Sequence, residues 1–149
     1  MNLSDWARAG LLRRDAPTRE RIARVFGVVD RDLADAARDL SPDGRFNLAY
    51  NAALQLCAIV LLAEGWKAEK AKAHYLTIAA LPQVLGPAWQ DGADYLDTCR
   101  ATRNGLDYDA AGRVSLRDAK ELRAFAVDLR AAVVAWLATK HPRLSPWTA

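Results

Sequence analysis

The sequence has few residues of the kinds that build disulfide or metal sites. Among its 149 residues there are 2 cysteines, 2 histidines and 1 methionine. Cys57 and Cys99 lie far apart on separate predicted helices, and neither belongs to a CxxC pair. We therefore expect no disulfide scaffold, no metal site and no bound cofactor.

The motifs of the common enzyme classes are also missing. The chain contains no GxxxxGK[ST], GxGxxG, HExxH or GxSxG sequence. These motifs carry the groups that P-loop hydrolases, dinucleotide-dependent enzymes, zinc proteases and serine hydrolases need for their chemistry. An enzyme built on this chain would belong to a different class.

Nothing in the sequence predicts a membrane protein. The longest apolar run, 52–63, contains Gln55 and is shorter than the roughly 20 residues that cross a bilayer. The first residues, MNLSDWARAGLLRRD, include acidic side chains and have no continuous apolar segment of a signal peptide. We expect a cytoplasmic protein without membrane contact.

The composition is that of one globular domain over residues 1–149. Hydrophobic residues make up 52% and charged residues 26%, which separates the chain from disordered proteins. The net charge of +3 and the isoelectric point of about 9.1 suit a phosphate-bearing partner without requiring one.

Apolar residues recur at helical spacing, and no segment alternates with period two. The pattern predicts an all-α bundle of about five long helices plus a short N-terminal helix within 1–15. We expect Ser4 to cap the first helix and Asp43 to cap the third, and the basic pair Arg13-Arg14 to end the first. The second helix is expected to begin at Pro17, the third to be the central apolar one over 46–63, and the fourth to run over 68–81. The fifth is expected to end near Leu106, and a capping box at Ser115 is expected to begin the last helix. Residues 142–149 are expected to form a tail.

Polar functional groups are concentrated in residues 94–109, DYLDTCRATRNGLDYD, which we call the motif helix. At about 100° per residue, its polar side chains form a stripe beside an apolar face. The members of that stripe are Arg100, Arg103, Asn104, Asp107 and Tyr108.

The pattern Arg103-Asn104-x-x-x-Tyr108 resembles the signature of the HEPN superfamily, whose members are helical nucleotide- and RNA-binding domains. In that signature an arginine and a polar residue precede a histidine, and Tyr108 stands at the histidine position here. The resemblance extends over about residues 45–109. It includes the order of a long apolar helix, Gly65-Trp66, His74, Leu81-Pro82 and the arginine helix.

The resemblance implies a homodimer in which two motifs line a shared cleft. Many HEPN proteins are metal-independent endoribonucleases, often paired as toxins with a minimal nucleotidyltransferase antitoxin, while others only bind. It further implies RNA or a nucleotide as the partner, with the site residues assigned by position. Those are Arg103, Asn104 and Tyr108 as catalytic residues, and Arg100, Asp107 and His74 as ligand-binding residues.

Within this scheme Arg103 would hold the phosphate, and Tyr108 would occupy the place of the proton carrier. An ordinary phenol has a pKa near 10 and is protonated at neutral pH. It therefore suits hydrogen bonding or base stacking better than proton transfer. We expect RNA cleavage to be slow or absent.

A second interpretation of the same residues stays open. Arg103 and Asp107, like Arg100 and Asn104, are four positions apart, which is also the spacing of weak ion pairs and hydrogen bonds on a solvated helix face. The protein would then be a structural or interaction bundle whose motif helix serves dimerisation. In either case His74 is expected in the core or at its rim with a hydrogen-bond partner, and His141 in solvent.

Overall fold

The all-α bundle predicted from the sequence is confirmed. The computed structural model describes residues 2–106 and 114–147. Its helices and strands, in chain order, are α1 (Leu3–Arg8), β1 (Leu12–Arg14), α2 (Arg19–Asp35), α3 (Pro42–Ala63), β2 (Trp66–Ala68), α4 (Ala73–Ala79), α5 (Leu81–Leu85), α6 (Gln90–Leu106) and α7 (Leu116–Lys140).

Helix α3 lies at the centre of the bundle because it is apolar around most of its circumference. It packs against α2 and α7 on one side and against α4 and α6 on the other. By length and composition alone α3 could span a membrane, but 72% of its most apolar window is buried inside the protein. That is the environment of the core helix of a bundle.

Local side-chain chemistry decides where the helices begin. Ser115 accepts a hydrogen bond from the Asp118 backbone N–H at 3.0 Å, which completes the predicted capping box of α7. The predicted caps of two other helices are wrong. Ser41 caps α3 in place of Asp43, because Pro42 suits the first helical position, and Asn2 caps α1 in place of Ser4.

The segment between α3 and α6 differs most from expectation. A helix was expected over 68–81, but Ala68 belongs to β2, and the regular helix begins only at Ala73. It continues through α5 because Pro82 occupies one of the first two helical positions, where its missing N–H costs nothing.

Strand β2 pairs with β1 in an antiparallel two-stranded sheet. Arg13 and Arg14 therefore lie in a strand, and α1 ends earlier, at Arg8. Strands of three residues are too short to show period-two alternation in a sequence.

The last described residues pack onto α2. The Trp147 ring meets Phe26 edge-on, with 4.7 Å between ring centroids. The Arg130 guanidinium lies over both rings and pairs with Asp30 at 2.6 Å. This cluster joins α7, α2 and the end of the described chain.

His141 is not in solvent, contrary to the expectation from the sequence. Its Nε2 lies 2.5 Å from Glu64 Oε2, and the side chain is 23% exposed. Lys140 Nζ donates to the other Glu64 oxygen at 3.0 Å. These contacts tie the C-terminal end of α7 to that of α3.

Candidate functional site

The packing of α4 against α6 forms an open cleft with a basic lining. The cleft has a volume of about 380 Å³. We call it the basic cleft, and its lining residues are Lys70, Ala71, Lys72, Ala73, His74, Tyr75 and Arg100. The three cations and the imidazole come from two segments that lie far apart in the sequence.

Tyr50 of α3 lies beneath this site. The residue is 1% exposed, and its hydroxyl has no hydrogen-bond partner among the described residues. The Arg103 guanidinium carbon lies 5.4 Å from the centre of the Tyr50 ring, and the His74 ring centre lies 6.4 Å from it. Tyr50 thus connects the motif helix to α4.

Burial raises the pKa of Tyr50 to about 12, although Arg103 and Arg100 act in the opposite direction. The phenol therefore stays protonated at neutral pH and is a hydrogen-bond donor. An unsatisfied buried hydroxyl costs free energy in a folded protein, so its place under a basic site calls for a functional explanation.

The two arginines of the site have different surroundings. Arg100 Nε donates to Asp97 Oδ1 at 2.7 Å, and its guanidinium carbon lies 5.7 Å from the centre of the exposed Tyr75 ring. Within 2–106 and 114–147, no carboxylate pairs with Arg103. Asp97 therefore holds Arg100 in place and partly neutralises its charge.

His74 lies at the solvent-exposed rim of the bundle. Partial burial lowers its pKa below the ordinary value of 6.5, and the nearby charges of Arg103 and Arg100 lower it further. At neutral pH the imidazole is mainly uncharged. It can donate or accept a proton but adds little positive charge to the cleft.

Three of the six predicted site residues come together. Arg103 and His74 lie against Tyr50, and Arg100 lines the cleft together with His74, while Asn104 is exposed further along α6. Asp107 and Tyr108 lie outside the described residues, so their predicted roles stay predictions.

Sequence reasoning missed four residues of the site: Lys70, Lys72, Tyr75 and the hydroxyl of Tyr50. The run KAKAHY over 70–75 carried a signal, since two lysines precede a histidine and a tyrosine. This signal was not recognised because a regular helix was expected over 68–81. Tyr50 gave no signal because a tyrosine in an apolar helix is typical of a core.

The chemistry of this arrangement favours an anion. Arginine and lysine donors in a partly enclosed cleft form charge-assisted hydrogen bonds with phosphate oxygens. Among the described residues, no group of three or more histidine, cysteine, aspartate or glutamate side chains is placed to hold a metal ion. The cations of the basic cleft are chemically suited to a phosphate or another anion.

Searches against protein-family models, curated proteins and solved structures found no match to this chain.

Proposed function

We propose that the protein binds single-stranded RNA or a nucleotide through the basic cleft and Arg103, as a HEPN-like helical domain. The observation that carries the proposal is the placement of Arg103 and His74 against Tyr50, with Arg100, Lys70 and Lys72 in the adjoining cleft. The resemblance of the motif helix supports the same function independently of this geometry.

The basic cleft has the two kinds of side chain that proteins use to bind single strands. Proteins that bind single strands combine a positive groove along the phosphates with aromatic rings on which bases stack. Tyr75 is 47% exposed and lies at the edge of the basic cleft. The cleft thus offers both phosphate contacts and a stacking surface.

The experiment compares the wild type with Arg103→Ala and with the control Arg24→Ala. Arg24 is exposed on α2, far along the chain from the cleft. Arg21 is a poorer control because it holds Asp15 through two hydrogen bonds of 2.7 Å. Binding of single-stranded RNA is measured at two salt concentrations, and folding by thermal melting.

We expect Arg103→Ala to weaken RNA binding by about 1.5–3 kcal/mol, the value of a hydrogen bond to a charged group. Removal of one phosphate contact should also make the salt slope of log K shallower by about 0.7. Arg24→Ala should bind like the wild type. Equal binding by both variants, or no binding by the wild type at low salt, would leave an interaction bundle as the better interpretation.

RNA cleavage is a separate question from binding. Because Tyr108 stands at the histidine position of the motif, we expect cleavage to be slow or absent even where binding is tight. Cleavage that resists EDTA and disappears in Tyr108→Phe would contradict this expectation.

The proposal includes a homodimer and a minimal nucleotidyltransferase partner, both implied by the resemblance. A two-fold dimer with its axis near α6 would place two copies of Arg103 across one cleft. Light scattering at micromolar concentrations should then give twice the chain mass of 16.4 kDa. A strict monomer would remove the dimer from the proposal and leave single-site binding.

A further inference from the structure

A second pocket adjoins the basic cleft, and Tyr75 lines both. Its volume is about 190 Å³. We call it the acidic pocket, and its lining residues are Tyr75, Ile78, Ala79, Gln90, Ala93, Asp94 and Asp97. The ion pair between Asp97 of this pocket and Arg100 of the basic cleft connects the two.

The walls of the acidic pocket suit a flat ring. Ile78, Ala79 and Ala93 supply apolar surface, and Tyr75 supplies an aromatic ring. A cavity of about 150 Å³ is large enough to hold one benzene molecule. The acidic pocket therefore has room for a planar heterocycle packed against Tyr75.

The polar groups of the pocket are mainly hydrogen-bond acceptors. Gln90 Nε2 donates to Asp94 Oδ1 at 2.9 Å; this oxygen keeps a second lone pair, so both Asp94 oxygens and the amide oxygen of Gln90 can accept from a ligand. The Asp97 carboxylate is engaged by Arg100 at 2.7 Å. The edge of a bound ring should therefore present N–H donors.

Among the nucleobases, guanine fits this requirement best. Its N1–H and its N2 amino group lie side by side and donate to both oxygens of one carboxylate. Adenine presents an amino group beside the acceptor N1, which a carboxylate repels. A carboxylate at the position of Asp94 thus discriminates between the two purines.

We propose that the basic cleft and the acidic pocket form one guanine-nucleotide site, an inference that rests on the proposed function. The guanine base packs against Tyr75 with its donor edge on Asp94, and the phosphate binds Arg100, Lys70 and Lys72. A 5′-nucleotide carries its base and its phosphate on one ribose. The base therefore occupies the acidic pocket and the phosphate the basic cleft, and Tyr75 lines both cavities. In an RNA strand the same site selects a guanosine.

The test measures binding of 5′-GMP, 5′-IMP, 5′-AMP and inorganic phosphate to the full chain by isothermal titration calorimetry. We expect 5′-GMP to bind at least about fivefold more tightly than 5′-AMP, since a bidentate base contact contributes about 1–3 kcal/mol of discrimination. IMP lacks the N2 amino group and should fall between them. Phosphate alone should bind most weakly.

Substitutions test whether the preference for guanine comes from the acidic pocket. Asp94→Asn replaces one acceptor by a donor, so it should abolish the preference for GMP and shift it toward AMP. Asp91→Asn is the matched control, because Asp91 is exposed on the same helix and does not line the pocket. Tyr75→Ala should weaken all nucleotides by about fivefold or more, while Tyr75→Phe keeps the stacking surface and should bind normally.

The outcomes separate the two proposals. If all nucleotides bind with equal affinity and Asp94→Asn changes nothing while Arg103→Ala still weakens RNA binding, the guanine site is wrong and the proposed function stands. If neither nucleotides nor RNA bind the wild type, both fail. Thermal melting of each variant shows whether it is folded, and Asp94 is exposed on α6, where the substitution leaves the core intact.

Discussion

The two sides of α3 differ in the surroundings of their buried polar groups. On the side of α2 and α7, Ile22 and Leu129 are 0% exposed, and the buried Asp32 carboxylate accepts from Asn51 Nδ2 at 2.6 Å and from Arg31. On the side of α4 and α6, the buried Tyr50 hydroxyl has no partner among the described residues. The buried amide oxygen of Asn47, also on α3, likewise has no partner among the described residues, so Tyr50 is distinguished by the Arg103 and His74 side chains that lie against its ring.

We expect this difference to separate stability from binding. Burial of apolar surface against α2 and α7, where Ile22 and Leu129 are 0% exposed, contributes favourable free energy to folding. The side facing α4 and α6 includes the short helix α4, the basic cleft, the acidic pocket and several like charges, which add little to the stability of the folded state. Substitutions on the two sides should therefore have different consequences.

The largest expected effect is loss of stability on the side of α7. Leu129→Ala removes a fully buried side chain, and buried leucine-to-alanine changes cost about 2–5 kcal/mol. Chemical denaturation should show this cost, with a melting temperature lower by several degrees or more. Below that temperature, nucleotide binding should match the wild type.

Val127→Ala is the control for this prediction, because Val127 lies on the same helix and is 40% exposed. It should change stability by about 0.5 kcal/mol or less. A folded Leu129→Ala variant that no longer bound RNA or nucleotide would show that the two sides of α3 are coupled.

The sequence predicted the long helices well because the sequence signals that indicate them are local. Helical spacing of apolar residues and the Ser115 capping box placed α2, α3 and α7. The motif helix was predicted to end near Leu106, which is the last residue described before 107–113, so its end stays a prediction. These signals depend on neighbours within one or two turns.

The candidate site was only partly predictable because it depends on long-range packing. The spacing on α6 placed Arg100 and Arg103 on neighbouring positions, but nothing local says that α4 lies beside them. The β1–β2 pair shortens α4 and leaves Lys70 and Lys72 in the segment before it. Pairings between residues so far apart in the chain leave no periodic pattern in the sequence.

A smaller effect is expected from the contacts that close the bundle at Glu64. Burial alone would raise the pKa of Glu64, but hydrogen bonds from Lys140 and His141 outweigh it, and the pKa lies below its ordinary value of 4.5. The unfolded chain therefore binds more protons between the two values. The stabilisation is present above pH 4.5 and is lost as the pH falls through the folded pKa.

Glu64→Gln should accordingly be less stable than the wild type at pH 7, by about 1 kcal/mol. The difference should shrink as the pH falls below 4.5, as measured by denaturation across that range. Asp128→Asn, an exposed change on α7, should show no comparable convergence. A difference that stayed constant with pH would mean that Glu64 stabilises the fold through packing alone.

The smallest effect on stability, and the sharpest test of the contrast, is expected at Tyr50. Tyr50→Phe removes the hydroxyl and keeps the ring that lies beneath Arg103 and His74. Because a buried hydroxyl without a partner costs free energy, its removal should leave the protein equally stable or more stable by up to about 1 kcal/mol. The hydroxyl is buried, so a hydrogen bond from it to a phosphate requires the Arg103 and His74 side chains to move; where that bond forms, the same change should weaken nucleotide binding by about 0.5–1.5 kcal/mol. Asn51→Leu is the matched contrast on the other side of α3, where loss of a satisfied partner of Asp32 should lower stability and leave binding unchanged.

Denaturation and nucleotide titration of both variants test this directly. A Tyr50→Phe variant that lost stability and kept full affinity would show that the hydroxyl serves the fold, and the difference between the two sides of α3 would then have no functional meaning.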